Sequence, residues 1–186
     1  MSSNDNDIIS SRSQTPLREE LLRHYFLGRT DVFAQENREG DNWTCIRREL
    51  PSYLLQSHLR GRITLGTYPV NTLGNAPWLC FDVDEKGKAA QDFLTWLYNW
   101  FTERGMVFLI EDTGGRGLHG WVSFLCWVPA DKVIALASSA IDMYTKKFGT
   151  APCPLEIFPK QQKPTDVGNP MRLPWGRHKS GNSSSR

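Results

Sequence analysis

The 186-residue chain carries 22 basic and 20 acidic residues, a net charge of +2 that by itself singles out no partner of opposite charge. Hydrophobic content of 39%, with seven Trp and nine Phe, excludes an intrinsically disordered chain and suffices for one domain with its own core. There is no apolar run of the roughly 18 residues that a membrane-spanning helix needs, and the polar start, Met1 to Gln14, lacks the apolar stretch of a signal peptide.

The expectation is therefore a cytoplasmic protein with no membrane partner. Cys45, Cys80, Cys126 and Cys153 lie far apart and form no Cys-x-x-Cys pair, which argues against a zinc knuckle. Cys80 and Cys126 fall inside apolar runs and are expected to be reduced core residues.

Residues 1–14 read as a disordered arm. Thr15-Pro16 opens a helix, since Thr caps and Pro fits the first turn. Leu17, Leu21, Leu22 and Tyr25 give it an apolar stripe, and Gly28 ends it. Short strands are predicted at 31–36 and 43–48, a helix from Pro51 to Leu59, and a strand over Arg62–Val70. Beyond Pro77 the pattern sharpens. Trp78–Asp84 is a predicted strand and Lys88–Arg104 an amphipathic helix, with Ala90, Phe93, Leu94, Leu97 and Phe101 at helical spacing and Gly105 as its stop. Strands follow at Met106–Glu111 and Leu118–Trp127. A second helix runs over Ala130–Phe148, with Val133, Ala137, Ile141, Tyr144 and Phe148 on one side, and a last strand over Pro154–Phe158.

The order β-α-β-β-α-β from residue 77 predicts a ferredoxin-like, RRM-like α+β half with strand order 4-1-3-2 and all neighbours antiparallel. That topology brings Asp82 and Asp84, at the end of its first strand, to the same sheet end as His119 and Glu156, at the starts of its third and fourth. Strand period puts Asp82 and Asp84 on one face while Leu79, Phe81 and Val83 turn to the helices. Leu118, Val122 and Phe124 likewise leave His119 on the face away from the helices. Leu155 and Ile157 leave Glu156 and Lys160 there too.

Two acids at one strand end repel, and burying them unpaired is costly. Divalent cations with oxygen preference remove that cost, and a pair of Mg²⁺ or Mn²⁺ ions suits in-line phosphoryl displacement. Asp82, Asp84 and Glu156 are thus candidate metal-binding and catalytic residues; an acidic strand end is the alternative. Gly114-Gly115-Arg116-Gly117-Leu118-His119 is a candidate triphosphate cradle. Its glycines let backbone N–H groups approach phosphate oxygens, and Arg116 and His119 add donors. The alternative is a Gly-rich hairpin with a structural His. From Lys160 to Arg186 six basic residues face one acid, Asp166. Lys160 is a candidate for the incoming nucleotide, Arg172 and Arg177 for the incoming triphosphate or the template backbone, and Lys163, His178 and Lys179 for nucleic acid. Trp175 is either a base-stacking surface or a core residue. Together these features point to an enzyme that joins nucleotides.

With those residues in place, the chain resembles the archaeo-eukaryotic primase superfamily. The pattern hydrophobic-Asp-hydrophobic-Asp, small-x-His, then a third acid is matched by Phe81-Asp82-Val83-Asp84, Gly117-Leu118-His119 and Leu155-Glu156. His58–Pro69 and Gly168–His178 look like the primase-polymerase cores associated with CRISPR loci and TOTE conflict systems, so the resemblance spans roughly 58–181. It implies one catalytic domain over 15–180, with an N-terminal α/β half (15–76) and an RRM-like half (77–180), followed by a linker or truncated tail at 181–186. It also implies template-dependent nucleotidyl transfer from NTPs or dNTPs, with Asp82, Asp84 and Glu156 on two metal ions and Arg116, His119, Arg172 and Arg177 on the nucleotide.

The partners expected are a single-stranded DNA template, a primer and an NTP or dNTP, with further domains or CRISPR and defence proteins outside this chain. Tyr68 is a candidate sugar sensor. One competing reading is a non-catalytic RRM-like module that binds single strands through exposed aromatics such as Trp121. Another is a repair or end-joining polymerase on the same fold. The absence of any His-hydrophobic-His motif argues against a HUH-type nuclease.

Overall fold

A computed structural model describes residues 16–37, 42–152, 154–163 and 166–177. The expected arm at 1–14, the Thr15 cap, Cys153, His178, Lys179 and the 181–186 tail lie outside the described residues.

In chain order the elements are helix α1 (16–26), strands β1 (Phe33–Glu36) and β2 (Trp43–Ile46), helix α2 (Ser52–Leu59), β3 (Leu65–Thr67), β4 (Asn75–Val83), α3 (Lys88–Thr102), β5 (Phe108–Asp112), β6 (Leu118–Pro129), α4 (Ala130–Phe148), β7 (Leu155–Phe158) and β8 (Met171–Arg172). They form two antiparallel four-stranded sheets, ordered β2-β1-β3-β8 and β5-β6-β4-β7. The second sheet has the predicted 4-1-3-2 order.

The second sheet is buried on both faces. Leu79, Phe81 and Val83 of β4, with Leu118 and Val122 of β6, pack against Phe93, Leu94, Leu97 and Phe101 of α3 and Val133, Ala137 and Ala140 of α4. Their alternation with Trp78, Cys80 and Trp121 sends the latter to the opposite face. There they meet Leu22 and Phe26 of α1, Phe33, Leu55 and Leu65, and Met171 and Leu173 near the C-terminal end. Trp121 is 1% exposed and stands edge-on to Phe26 and Trp78, so it offers no open stacking surface. Trp175 packs against this same cluster, edge-on to Phe26, as a core-side tryptophan.

Four local expectations change. Helix α1 ends in a wider π turn, Leu22–Phe26, closed by the Leu27 N–H on the Leu22 carbonyl at 3.0 Å. Leu22 and Phe26 enter the core, while Leu17 and Tyr25 are exposed. Cys126 is also exposed, because the end of β6 runs past its β5 partner, whose pairing stops at Val122. The strand expected over Arg62–Val70 shrinks to Leu65–Thr67, and the unforeseen β8 pairs with it. Phe148, at the end of the α4 stripe, is exposed where the helix stops at Gly149.

His58 fastens α2 to the C-terminal segment. Its buried ring accepts the Leu65 N–H at Nδ1 (3.1 Å) and places Nε2 3.0 Å from the Pro174 carbonyl, an arrangement that suits the neutral ring with its proton on Nε2. Gly176 packs so tightly on this ring that a Cβ there would overlap it. Burial pushes the imidazole pKa below its ordinary value of 6.5. Above pH 6.5 the ring is neutral in both folded and unfolded chains. Below it the unfolded chain takes up a proton that the folded one resists, so stability falls as pH drops, by up to about 1.4 kcal/mol per pH unit. Denaturant unfolding from pH 6 to 5, where histidines of the unfolded chain are already mostly charged and the carboxylates have yet to titrate, should show this loss, and His58→Gln should flatten it.

Candidate active site

Strand register assembles the site. Asp82 faces His119 across β4 and β6 and Glu156 across β4 and β7, while His119 faces Glu111 across β6 and β5. Glu111, His119, Asp82 and Glu156 therefore form one row across the sheet, on the face turned from α3 and α4. Asp84, two residues beyond Asp82, projects to the same side. Trp78, Cys80 and Trp121 on this face are covered by the N-terminal half, and the acids lie at the strand end beyond them.

Charges alternate along the row. His119, 5% exposed, sets Nδ1 2.9 Å from Glu111 Oε2 and Nε2 3.4 Å from Asp82 Oδ1. Burial favours the neutral ring, but the Glu111 charge and the Asp82 contact outweigh it and raise the pKa to about 9. Burial also works against the Glu111 carboxylate, yet His119 and the Trp121 N–H, which donates to Oε2 at 2.8 Å, keep its pKa below the ordinary value. Arg116 forks onto Asp84, Nε on Oδ1 at 3.1 Å and Nη2 on Oδ2, and this contact lowers the Asp84 pKa. Lys160 Nζ lies 2.8 Å from Glu156 Oε2.

The hairpin between β5 and β6 is tied from within. Thr113 donates from N and Oγ1 to the Gly117 carbonyl at 3.3 and 2.8 Å. The Gly114 N–H binds Asp112 Oδ1 at 2.8 Å, and the Gly115 N–H binds Thr113 Oγ1 at 3.3 Å. These two amides are therefore engaged inside the turn. Gly117 is needed for close approach, since a Cβ there would sit 2.8 Å from the Val83 carbonyl. The hairpin consequently lies directly against the Asp84 backbone and carries Arg116 to that carboxylate.

A cleft of about 490 Å³ opens over the row. Asp82, Asp84, Arg116, Gly117 and His119 line one side, and Glu36, Trp43, Met171 and Arg172 line it from the first sheet. Arg172 crosses to the hairpin, where Nη2 donates to the Thr113 carbonyl at 2.9 Å. Glu156 and Lys160 lie beside the cleft, on the adjoining strand and just beyond it. Arg177 and Tyr68 do not line it. The Arg177 side chain lies against Gly61, and Tyr68 is buried with Val32 and Ala34. Lys163 is exposed on the segment after β7. Glu111, Thr113, Glu36 and Trp43 are site residues that the sequence reading did not single out. Glu111 had a readable signal, because counting outward from the 113–117 turn pairs it with His119.

The donor chemistry suits a divalent cation, since Asp82 and Asp84 bring hard oxygen ligands to one cleft. Among the described residues no three metal-ligating side chains already converge on one point. Arg116 and Lys160 instead compensate two of the acids.

Comparison with known proteins adds the family. The profile described as "TOTE conflict system, Archaeo-Eukaryotic Primase domain" matches residues 44–186, more than half of the chain. No curated protein sequence matches. Among solved structures the fold is similar to the polymerase domain of Mycobacterium tuberculosis ligase D in complex with DNA. That match has 12% identity and a TM-score of 0.50, covering 83% of this chain and 62% of that one. It is also similar to the AEP domain of the cyanophage S-2L primase-polymerase, at 15% identity and a TM-score of 0.50, covering 94% of this chain and 88% of that one. The chain spans less than two thirds of the mycobacterial polymerase domain. With the matched segment containing the whole acidic row and its hairpin, the chain belongs to the archaeo-eukaryotic primase domain family of TOTE conflict systems.

Proposed function

We propose that this domain transfers nucleotides onto the 3′ end of a DNA or RNA strand, directed by a single-stranded template, as a primase-polymerase. The observation that carries the reading is the row Glu156–Asp82–His119 with Asp84 and Arg116 beside it, which gathers acidic and basic side chains at and beside one cleft. Residues 15–180 act in this reading as a single catalytic unit.

Asp82, Asp84 and Glu156 would hold two Mg²⁺ or Mn²⁺ ions, which when bound activate the primer hydroxyl and neutralise the departing pyrophosphate. Binding them requires Arg116 and Lys160 to leave the carboxylates they now pair with. Arg116 then turns its planar fork to the triphosphate, a natural alternative partner for a guanidinium. His119 is already directed to the cleft by its Nε2 edge and donates to a phosphate oxygen. Arg172, anchored on the Thr113 carbonyl, brings a third cation to the same volume. Lys163, with His178 and Lys179, contributes to the template backbone. The burial of Trp121 counts against a purely aromatic, non-catalytic strand-binding surface.

Two outcomes test this reading. The double variant Asp82→Ala/Asp84→Ala should lose template-directed extension while its thermal unfolding stays within a few degrees of wild type, because the acids sit at an open strand end. Undiminished extension by the folded variant would refute the assignment. Affinity for a single-stranded oligonucleotide should fall steeply with salt, as expected when Lys and Arg displace counterions. A flat salt response would remove the basic C-terminal segment from the template path.

A further inference from the structure

Glu111 stands apart from the other acids. It is 4% exposed and lies behind His119, in contact with that ring but not itself lining the cleft. Its Oε2 takes two donors, Trp121 Nε1 at 2.8 Å and His119 Nδ1 at 2.9 Å, whereas its Oε1 is buried with no hydrogen-bond partner. Buried polar atoms are nearly always satisfied, and a buried ionic group adds little net stability over a well-packed neutral one. A half-satisfied carboxylate is therefore a poor choice for holding the sheet together, and its retention here calls for a different role.

The geometry defines that role. The two nitrogens of an imidazole are inequivalent, and the partner of one fixes what the other presents. Glu111 holds Nδ1 from behind, so the ring can neither flip nor turn its Nδ1 edge forward without leaving the buried carboxylate with the Trp121 N–H as its one remaining donor. Nε2 is thereby left as the edge that faces Asp82 and the cleft. Trp121 fixes the carboxylate in turn, and is itself locked edge-on between Phe26 and Trp78. The chain of contacts runs from the buried core of the N-terminal half, through Trp121 and Glu111, to the His119 ring.

We propose that Glu111 is a positioning residue that holds the His119 ring with Nε2 aimed at the triphosphate of the incoming nucleotide. The role rests on the reading of His119 as a nucleotide ligand, and it can be tested by binding alone. Titration calorimetry with an α,β-methylene ATP or dATP analogue and Mg²⁺ would be run on wild type, Glu111→Gln, His119→Ala and the double variant. Glu111→Gln, which gives up the attraction to the buried His119 ring while keeping the side chain's shape, should fold with a lowered unfolding temperature and, measured below it, weaken nucleotide binding about tenfold or more. In the His119→Ala background the same change should alter affinity by less than about twofold, because the residue acts only through the ring.

Equal losses in both backgrounds, or wild-type affinity in Glu111→Gln, would overturn the proposal. Should Glu111→Gln fail to fold, Glu111→Asp, which keeps the charge but withdraws it from Nδ1, carries the same comparison with the same criteria. If His119→Ala itself binds the analogue as wild type does, the fault lies in the nucleotide site assigned above, and the role of Glu111 falls with it.

Discussion

The antiparallel pairing of β4 with both β6 and β7 is the constraint on which everything else depends. Because β4 is central, each of its residues has a partner on either side, and alternate residues commit to opposite faces. Leu79, Phe81 and Val83 anchor the helices. Trp78 and Cys80 anchor the N-terminal half. The same alternation delivers Asp82 to the second face just where the cover of that half ends. A slip of one residue in either pairing would bury the acid among Phe93 and Leu97 and expose Phe81, a penalty large enough to fix the register.

Electrostatic compensation follows from that placement. Each of the three acids has a basic partner: His119 on the neighbouring strand for Asp82, Arg116 on the neighbouring hairpin for Asp84, and Lys160, four residues along the same segment, for Glu156. The pairs differ in burial. His119 is nearly enclosed, whereas the Arg116 side chain is 80% exposed. Solvent screens the Arg116 contact and leaves the arginine readily exchangeable, while the imidazole keeps its place. One end of the sheet thus combines an enclosed cation with an exposed one, as the proposed nucleotide transfer would need to admit a charged substrate and release a charged product.

How much of this was legible in the sequence follows from the range of the interactions. The RRM-like order, α3, α4 and the convergence of Asp82, Asp84, His119 and Glu156 were readable because they rest on local periodicity and on one topological rule. Glu111 was passed over because an acid at a strand end looks like a solvated terminus, although counting back from the hairpin turn sets it opposite His119. Glu36 and Trp43 enter the cleft by packing of one half on the other, which no local pattern encodes. Tyr68 failed to reach the cleft for the same reason: proximity in sequence to the matched motifs does not say which side of β3 a ring will take. β8 was invisible because three residues between Pro170 and Pro174 carry no strand signal, and its pairing with β3 spans about a hundred residues of chain.

That long-range pairing has a consequence for the order in which the protein can be built. Residues 75–158 hold every strand of the second sheet and both helices that cover it, so this half can condense as soon as it has left the ribosome. The N-terminal half is synthesised earlier but must wait. Until Met171 and Arg172 emerge, β3 has an open edge, and His58 lacks the Pro174 carbonyl that completes its hydrogen bonding. The half made first is therefore the half finished last, and the same late closure brings Arg172 to the rim of the cleft. A nascent chain stalled before this point would carry an exposed strand edge open to mispairing. Completion of the cleft and protection of that edge are one folding event.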